Sequence, residues 1–184
     1  MEDQTGLNRE LALDLRDRFS LETFLETGTY RGESCIWAAE HFRNVISIEK
    51  DVPRYQKVIG MTNKIKNIQL HLGDSRNLLF TILRDVLKPA LIYLDAHLFG
   101  FTKEGWINND QCPLKEELLA VRQIRIGHIV IIDDAKWFTD KPDFDHDPNQ
   151  FIRLNEIKTI LRDHEITKVE GWNCLLCLPR MIIK

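Results

Sequence analysis

The sequence has no apolar run that approaches the roughly 20 residues a membrane-spanning helix needs. It opens with the acidic stretch MEDQTG, whereas a secretory signal peptide has a basic start followed by an apolar segment. Its four cysteines are too few and too scattered for a disulfide framework. A formal net charge of −3 provides no general basic surface for nucleic acid or anionic lipid. These absences predict a cytoplasmic protein that binds neither nucleic acid nor membrane.

Length and composition are those of an ordinary globular protein. The chain has 184 residues, of which 43% are hydrophobic and 29% charged. It is therefore long enough to bury a core, and we expect one domain over residues 1–184. Cys174 and Cys177 form a C-x-x-C pattern, but no second pair of cysteines or histidines completes a zinc site. We expect the cysteines to be small apolar residues of the core.

Short apolar runs alternate with helical patterns along the chain. The runs predict strands at 23–26, 45–49, 68–72, 90–95, 128–133, 165–170 and 173–179. Helical patterns fill the intervals 34–42, 52–64, 75–87, 113–125 and 151–163, with N-caps at Asp51, at Asp74 or Ser75, and at Asp110. Such alternation predicts an α/β fold with an open, mostly parallel sheet.

Three segments fall outside this alternation. Only a turn at Gly171 and Trp172 separates the last two strands, so the final strand must run antiparallel to its neighbour. Residues 1–20 predict an amphipathic helix packed on the outside of the domain. Residues 98–113, LFGFTKEGWINNDQCP, mix glycine, asparagine and aromatic residues and predict a lid or substrate loop.

Each of the first five predicted strands ends in a carboxylate. Ligands of such sheets bind in the crevice beyond the carboxyl ends of the strands. The acids that would share this rim are Glu26, Glu49, Asp74, Asp95 and the pair Asp133 and Asp134. A single Asp after a strand is often only a helix cap. For Asp74, a helix cap and a ligand contact are about equally expected. A whole row of acids favours a ligand site.

The stretch FLETGTYRGES, residues 24–34, has features of a nucleotide-binding turn. Gly28 and Gly32 would let the backbone approach a ligand, with the N-terminus of the next helix pointing at it. Glu49 is placed to accept hydrogen bonds from ribose hydroxyls. Asp74, with Ser75 beside it, could accept from the exocyclic amine of adenine. Together these residues predict an adenosine-containing cofactor.

The spacing disfavours a nicotinamide dinucleotide as that cofactor. Such a site needs G-x-G-x-x-G, which the stretch lacks, and Glu26 would repel a pyrophosphate. A carboxylate there suits a cofactor with an amino group and a sulfonium. A nicotinamide-dependent oxidoreductase and a non-catalytic module that keeps the cofactor fold remain alternatives.

The motifs FLETGTYRGES, VISIEKD, LHLGDS, LIYLDAH and IVIIDDA, in this order, resemble those of class I S-adenosylmethionine (SAM)-dependent methyltransferases. The resemblance implies a Rossmann-like, doubly wound sheet of seven strands in the order 3-2-1-4-5-7-6, with the last strand antiparallel. It implies cofactor contacts from Glu26, Thr27, Gly28, Gly32, Glu49, Asp74, Ser75 and Asp95. One departure is Tyr30, which occupies the place of a third glycine.

Asp95, Asp133 and Asp134 would converge beside the cofactor's methyl group. Three like charges in one crevice are unfavourable unless a cation lies between them, and Mg²⁺ suits a site of few carboxylates and waters. The arrangement resembles metal-dependent O-methyltransferases of catechols and sugars, which implies a metal held by these acids. The alternative is that Asp95 contacts cofactor or substrate, that Asp133 caps a turn, and that no metal binds.

His97 is a candidate general base because it lies near Asp95 on the rim and titrates near neutral pH. It could equally be a metal ligand or a structural histidine. Lys136 is a weaker candidate. We expect methylation of an oxygen on a small polar acceptor, with sugars or glycans suggested by the resemblance, and a homodimer stays open.

Overall fold

The computed structural model describes residues 4–97, 101–102, 105–106, 112–139 and 150–182. Seven strands form one sheet in the order β3-β2-β1-β4-β5-β7-β6. Their bounds are β1 Thr23–Thr27, β2 Asn44–Glu49, β3 Ile68–Leu72, β4 Leu91–Leu94, β5 Ile129–Ile132, β6 His164–Lys168 and β7 Leu175–Pro179. The first five strands are parallel and β7 pairs antiparallel with both β5 and β6. This confirms the predicted sheet, its order and its reversed last strand.

The central strands are apolar because both faces of the sheet are covered. Every residue of β4 and β5 is buried, which explains why these strands lack the polar alternation of a half-exposed strand. Beyond the sheet, Phe101–Thr102 and Gly105–Trp106 pair as a short antiparallel ribbon. Residues 98–100, 103–104 and 107–111 of the predicted lid lie outside the described residues. The role of this segment as a lid therefore stays a prediction.

Within the described residues, six α-helices cover the sheet: α1 Arg9–Phe19, α2 Glu33–His41, α3 Val52–Thr62, α4 Ser75–Arg84, α5 Leu114–Gln123 and α6 Leu154–Ile160. The predicted caps of α3 and α4 are confirmed, since Asp51 accepts from the N–H of Arg54 at 2.8 Å and Asp74 accepts from the N–H of Arg76 at 2.9 Å. The predicted cap Asp110 lies outside the described residues.

The first helix is shorter than the predicted 1–20. It begins at Arg9, because Asn8 caps it by accepting from the N–H of Leu11 at 3.0 Å. Residues 4–8, which precede it, are not helical. Gln4 forms an isolated bridge with Trp172, and its carbonyl accepts from the N–H of Asn173 at 2.8 Å. The N-terminal segment is thereby attached to the turn between β6 and β7.

Two apolar clusters, one on each face, hold the helices on the sheet. On one face α4, α5 and α6 contribute Leu79, Leu83, Leu118 and Ile157. On the other, α1, α2 and α3 contribute Leu15, Ala38 and Val58. Truncating such a fully buried leucine to alanine costs about 2–5 kcal/mol. All four cysteines are free and buried, as expected, and no helix in the described ranges has the length and apolarity that crossing a bilayer requires.

Candidate functional site

A crevice of about 380 Å³ opens at the carboxyl ends of β1 to β4. This is the edge of the sheet at which the sequence places its row of acids. The predicted cofactor residues that line the crevice are Gly28, Glu49, Asp74, Ser75 and Asp95, together with His97. Glu26, Thr27 and Gly32 are not part of the lining, and each has a different structural role.

The two glycines serve the packing of the chain itself. Gly28 has φ +83°, and a Cβ atom on it would lie 2.3 Å from the carbonyl oxygen of Asp95. Gly32 has φ +79° as the residue preceding α2, and a Cβ there would lie 2.9 Å from the side chain of Val58. Gly28 therefore brings β1 close to the end of β4, and Gly32 lets α2 pack near α3.

Tyr30 lies at the mouth of the crevice in the place of the expected third glycine. Its backbone is left-handed, with φ +51°, a conformation that is uncommon for a tyrosine. The centre of its ring lies 5.1 Å from the guanidinium of Arg31 and 4.9 Å from that of Arg54, and about half of the residue is exposed. The loop therefore places an aromatic ring and two cations at the mouth of the crevice.

Glu49 is held in position by the backbone. Its Oε2 atom accepts from the N–H of Tyr30 and its Oε1 atom from the N–H of Asp51, each at 2.8 Å. Each carboxylate oxygen has a second lone pair for a further donor. Because Glu49 is almost fully buried and lines the crevice, it can receive ribose hydroxyls without moving.

For Asp74 the sequence left a helix cap and a ligand contact as alternatives. Asp74 caps α4 through the N–H of Arg76, and its Oδ2 atom receives the Arg76 guanidinium at 3.2 Å. It also lines the crevice beside Ser75. The helix cap is confirmed, and the contact with adenine stays a prediction.

Glu26 lies beneath the glycine loop. It is fully buried, accepts from the hydroxyl of Ser47 at 2.7 Å, and accepts from the hydroxyl of Ser34. Burial raises the pKa of Glu26 to about 7, although the two serine hydroxyls oppose this. Ser34, which donates to Glu26, lines an adjoining cavity of about 360 Å³ together with Tyr30 and Arg31.

The acids of β4 and β5 meet at the far end of the crevice, where they share two donors. The Tyr93 hydroxyl lies 2.7 Å from Oδ2 of Asp133 and 3.2 Å from Oδ2 of Asp95. His97 Nε2 lies 2.9 Å from Oδ2 of Asp134 and 3.6 Å from Oδ1 of Asp95. The structure therefore brings together all four rim residues predicted from the sequence and adds Tyr93 to them.

The acids and the histidine at this rim alter one another's pKa. Burial raises the pKa of Asp95 to about 8, with the neighbouring Asp133 and Asp134 adding to the increase and His97 opposing it. Burial lowers the pKa of His97, but the hydrogen bond to Asp134 and the charge of Asp95 outweigh it, so the net pKa lies above its ordinary value. When it is protonated, His97 places a positive charge among these carboxylates.

The predicted metal ligands fit a divalent cation only in part. Oδ1 of Asp133 is buried and has no hydrogen-bond partner within the described ranges, so Asp133 and the partly exposed Asp95 could both turn an oxygen to a cation. Asp134 has no such freedom, because Asn173 donates to its Oδ1 at 2.7 Å and His97 takes its Oδ2. No group of three or more His, Cys, Asp or Glu side chains in the described part of the chain is arranged to hold a metal.

Glu117 is a buried acid behind the crevice that the sequence analysis missed. It lies on α5, is 1% exposed, and its Oε1 atom has no hydrogen-bond partner among the residues described. Burial raises the pKa of Glu117, and the neighbouring side chains of Ser75 and Thr27 oppose the increase. The helical period could have predicted its burial, because Glu117 falls on the same helix face as the buried Leu114 and Val121.

Solved structures show the same fold. SAM-bound CalS10, an amino pentose methyltransferase from Micromonospora echinaspora, aligns with TM-score 0.64 and 13% identity over 93% of this chain and 89% of its own. An O-methyltransferase from Bacillus cereus in complex with S-adenosylhomocysteine (SAH) aligns with TM-score 0.59 and 16% identity over 96% and 82%. The N-methyltransferase NodS from Bradyrhizobium japonicum aligns with TM-score 0.58 and 13% identity over 91% and 89%.

No protein-family model and no curated protein sequence matches the chain. The likeness therefore lies in the fold, which is that of the class I SAM-dependent methyltransferases. The three neighbours act on different acceptors, so a shared fold does not identify the acceptor of this protein.

Proposed function

We propose that the protein is a SAM-dependent methyltransferase that methylates an oxygen of a small polar acceptor. The observation that carries the proposal is the crevice itself. It lies at the carboxyl ends of β1 to β4 in a methyltransferase fold, with Glu49 fixed for a ribose and Asp74 and Ser75 beyond it. Neighbours of the same fold bind SAM and SAH.

In this arrangement, Glu49, Asp74 and Ser75 would hold the adenosine of SAM, and Asp95 would lie on the side of its sulfonium. The cofactor would supply the methyl group of a sulfonium, which would pass to the acceptor oxygen and leave SAH. The protein contributes mainly alignment and the placement of charge.

The acceptor's proton is taken by the ionised form of Asp95, which the positive charge of a bound sulfonium would favour. Burial raises the pKa of Asp95 to about 8 before the cofactor binds, so this carboxylate is a stronger base than an ordinary aspartate. His97 acts as a positioning residue in this scheme. Its Nε2 atom is held by Asp134, and its imidazolium form would offset negative charge at the rim.

The test is calorimetric titration of SAH, and separately of NADH, into the purified protein. We expect SAH to bind at micromolar concentrations and NADH not to bind. Glu49→Gln should weaken SAH binding by about tenfold or more, because the amide accepts fewer hydrogen bonds from the ribose. Glu165→Gln is the matched control, since Glu165 is exposed on β6 and should leave affinity unchanged.

Failure to bind SAH at millimolar concentration would refute the proposal, and NADH binding would revive the oxidoreductase alternative. SAH binding without methyl transfer to any sugar, glycan or phenolic acceptor would favour the non-catalytic module. Sugars and glycans come first in such a screen because CalS10 is an amino pentose methyltransferase.

Assistance by Mg²⁺ is a second, finer proposal. Asp95 and Asp133 would hold the ion, which would supply Lewis-acid polarisation of the acceptor hydroxyl. The unpaired Oδ1 of Asp133 supports it. Methyl transfer should then fall at least tenfold in chelator and recover with Mg²⁺, and equal rates in both conditions would refute it.

A further inference from the structure

A second cavity, of about 470 Å³, lies at the opposite edge of the sheet from the cofactor crevice. It forms where α5 and α6 end and where β5 and β6 begin, next to the last residues of β7. Nothing in the proposed methyl transfer uses this region. We call it the amino-edge pocket, after the amino ends of the parallel strands.

Positive charge is concentrated around the amino-edge pocket. Its lining includes Arg122, Arg125, Arg162 and Arg180, but only one acid, Asp163. All four arginines are exposed, and none of their guanidinium groups makes an ion pair with another described residue. The whole chain has a net charge of −3, so an excess of arginines over acids at one pocket calls for a physical explanation.

Helix dipoles explain only part of this charge. Arg122 lies in the last turn of α5, where a cation offsets the partial negative charge of the helix end. Arg180 follows a strand, so no helix end of its own accounts for its charge.

Two histidines form the floor of the pocket. The strand register places His164 opposite Pro179. The pairing of β5 with β7, extended by two residues beyond Val130 and Cys177, places His128 opposite the same proline. Residues in one such row point to the same face of a sheet. Pro179 has no N–H to donate, and the carbonyl of His128 lies 3.2 Å from Nε2 of the His164 ring.

The hydrogen bonds fix complementary tautomers on the two rings. Nδ1 of His128 accepts from the N–H of Ala90 at 3.2 Å, which places the proton on Nε2. Nε2 of His164 donates to a carbonyl, which leaves Nδ1 bare. Burial lowers the pKa of both rings, that of His128 to about 4, so both are neutral near pH 7.

Each ring therefore has one unused nitrogen. Nε2 of His128 is a buried donor and Nδ1 of His164 a buried acceptor, and neither has a partner within the described part of the chain. An unsatisfied buried polar atom costs about 1–3 kcal/mol. A single ligand group that both accepts and donates a hydrogen bond would satisfy the two together.

We propose that the amino-edge pocket binds a small molecule through a phosphate monoester group. The arginines match the charge and geometry of phosphate oxygens. A monoester has a second pKa near 6, so part of it carries a P–OH group that can donate to His164 while a P–O oxygen accepts from His128. A carboxylate ion has no such donor. Both nitrogens are covered by protein atoms, so we expect the side chains that cover them to move when the phosphate group binds.

The experiment is calorimetric titration with phenyl phosphate, with benzoate as the probe that carries a carboxylate instead. We expect phenyl phosphate to bind with a dissociation constant below about 1 mM and benzoate at least tenfold more weakly. Arg125→Gln/Arg162→Gln should weaken phenyl phosphate binding by about tenfold or more, because two charge-assisted hydrogen bonds are lost. Arg18→Gln/Arg43→Gln, which removes two exposed charges elsewhere, should leave it unchanged.

His164→Gln supplies a second readout. Its amide can still donate to the His128 carbonyl, so the fold should persist, but the acceptor at Nδ1 is lost and the preference for phenyl phosphate over benzoate should narrow. No binding of phenyl phosphate, equal binding of benzoate, or equal weakening by the two arginine pairs would each overturn the proposal. Binding of SAH to the crevice should be unaffected by any of these variants.

Discussion

Nε2 of His97 and Oδ2 of Asp134 lie 2.9 Å apart and connect the carboxyl end of β4 to that of β5. Asn173 holds the other oxygen of Asp134 at 2.7 Å, and its backbone N–H donates to the carbonyl of Gln4. The orientation of His97 therefore depends on residues from three separate parts of the chain.

Asp134→Asn should lower the pKa of His97, because the amide removes the negative charge that stabilises the imidazolium. The change is measured from the pH dependence of the His97 ring signals by NMR. In the proposed enzyme, the rate of methyl transfer should fall about tenfold or more while SAH affinity stays within about twofold. An unchanged His97 pKa would contradict the role given to Asp134.

Gly28→Ala should destabilise the protein by about 3 kcal/mol or more and should abolish cofactor binding. The new Cβ would meet the carbonyl of Asp95 at 2.3 Å, in addition to the strain of a positive φ. Gly171→Ala separates the two effects, because Gly171 has φ +73° but nothing within 4 Å of an added Cβ. Urea denaturation of both variants measures the difference, and equal costs would exclude a steric role for Gly28.

The stability of the protein should depend on the ionisation of Glu26. Its pKa is about 7 in the fold and 4.5 ordinarily, so folding favours the neutral acid. The contribution is complete below about pH 4.5 and is lost as the pH rises to about 7, which amounts to about 3 kcal/mol. Urea denaturation at several pH values measures the free energy of unfolding, which should fall as the pH rises. This fall should be smaller in Glu26→Gln. Parallel curves for the two proteins would contradict the elevated pKa.

The charge of Asp95 should distinguish SAM from SAH. Asp95 is largely protonated at neutral pH because its pKa is about 8, and a sulfonium beside it favours the ionised form. SAM binding should therefore release protons and become several-fold tighter between pH 7 and 9, whereas binding of the neutral thioether should change less. Calorimetry in buffers of different ionisation enthalpy measures the protons, and Asp95→Asn should remove the difference.

The sheet could be predicted from the sequence because its strands carry strong signals. Runs such as those around Ile92 and Val130 are apolar on both faces, and the position of each acid marks where a strand ends. Helix ends were less accurate. The prediction carried α4 to residue 87, but it ends at Arg84, and α1 begins eight residues later than predicted, because Asn8 starts it with a cap.

The sequence predicted where the site residues lie on the sheet better than it predicted their side-chain contacts. Glu49 and Asp74 lie where the sequence places them, whereas Glu26 is buried under the loop it precedes. Its orientation depends on hydroxyls from Ser34 and Ser47, which belong to other elements. The contact between His128 and His164 could not be predicted from the sequence either. It depends on β7 lying between the strands that begin at these two histidines.

That late strand has a consequence for biosynthesis. β7 is the last strand in the sequence, yet it lies between β5 and β6. Until residues 175–179 have been translated, the fully apolar edge of Ile129–Ile132 has no partner on that side. Nascent chains stalled before this point should be prone to association through that edge, because β7 is needed to cover it.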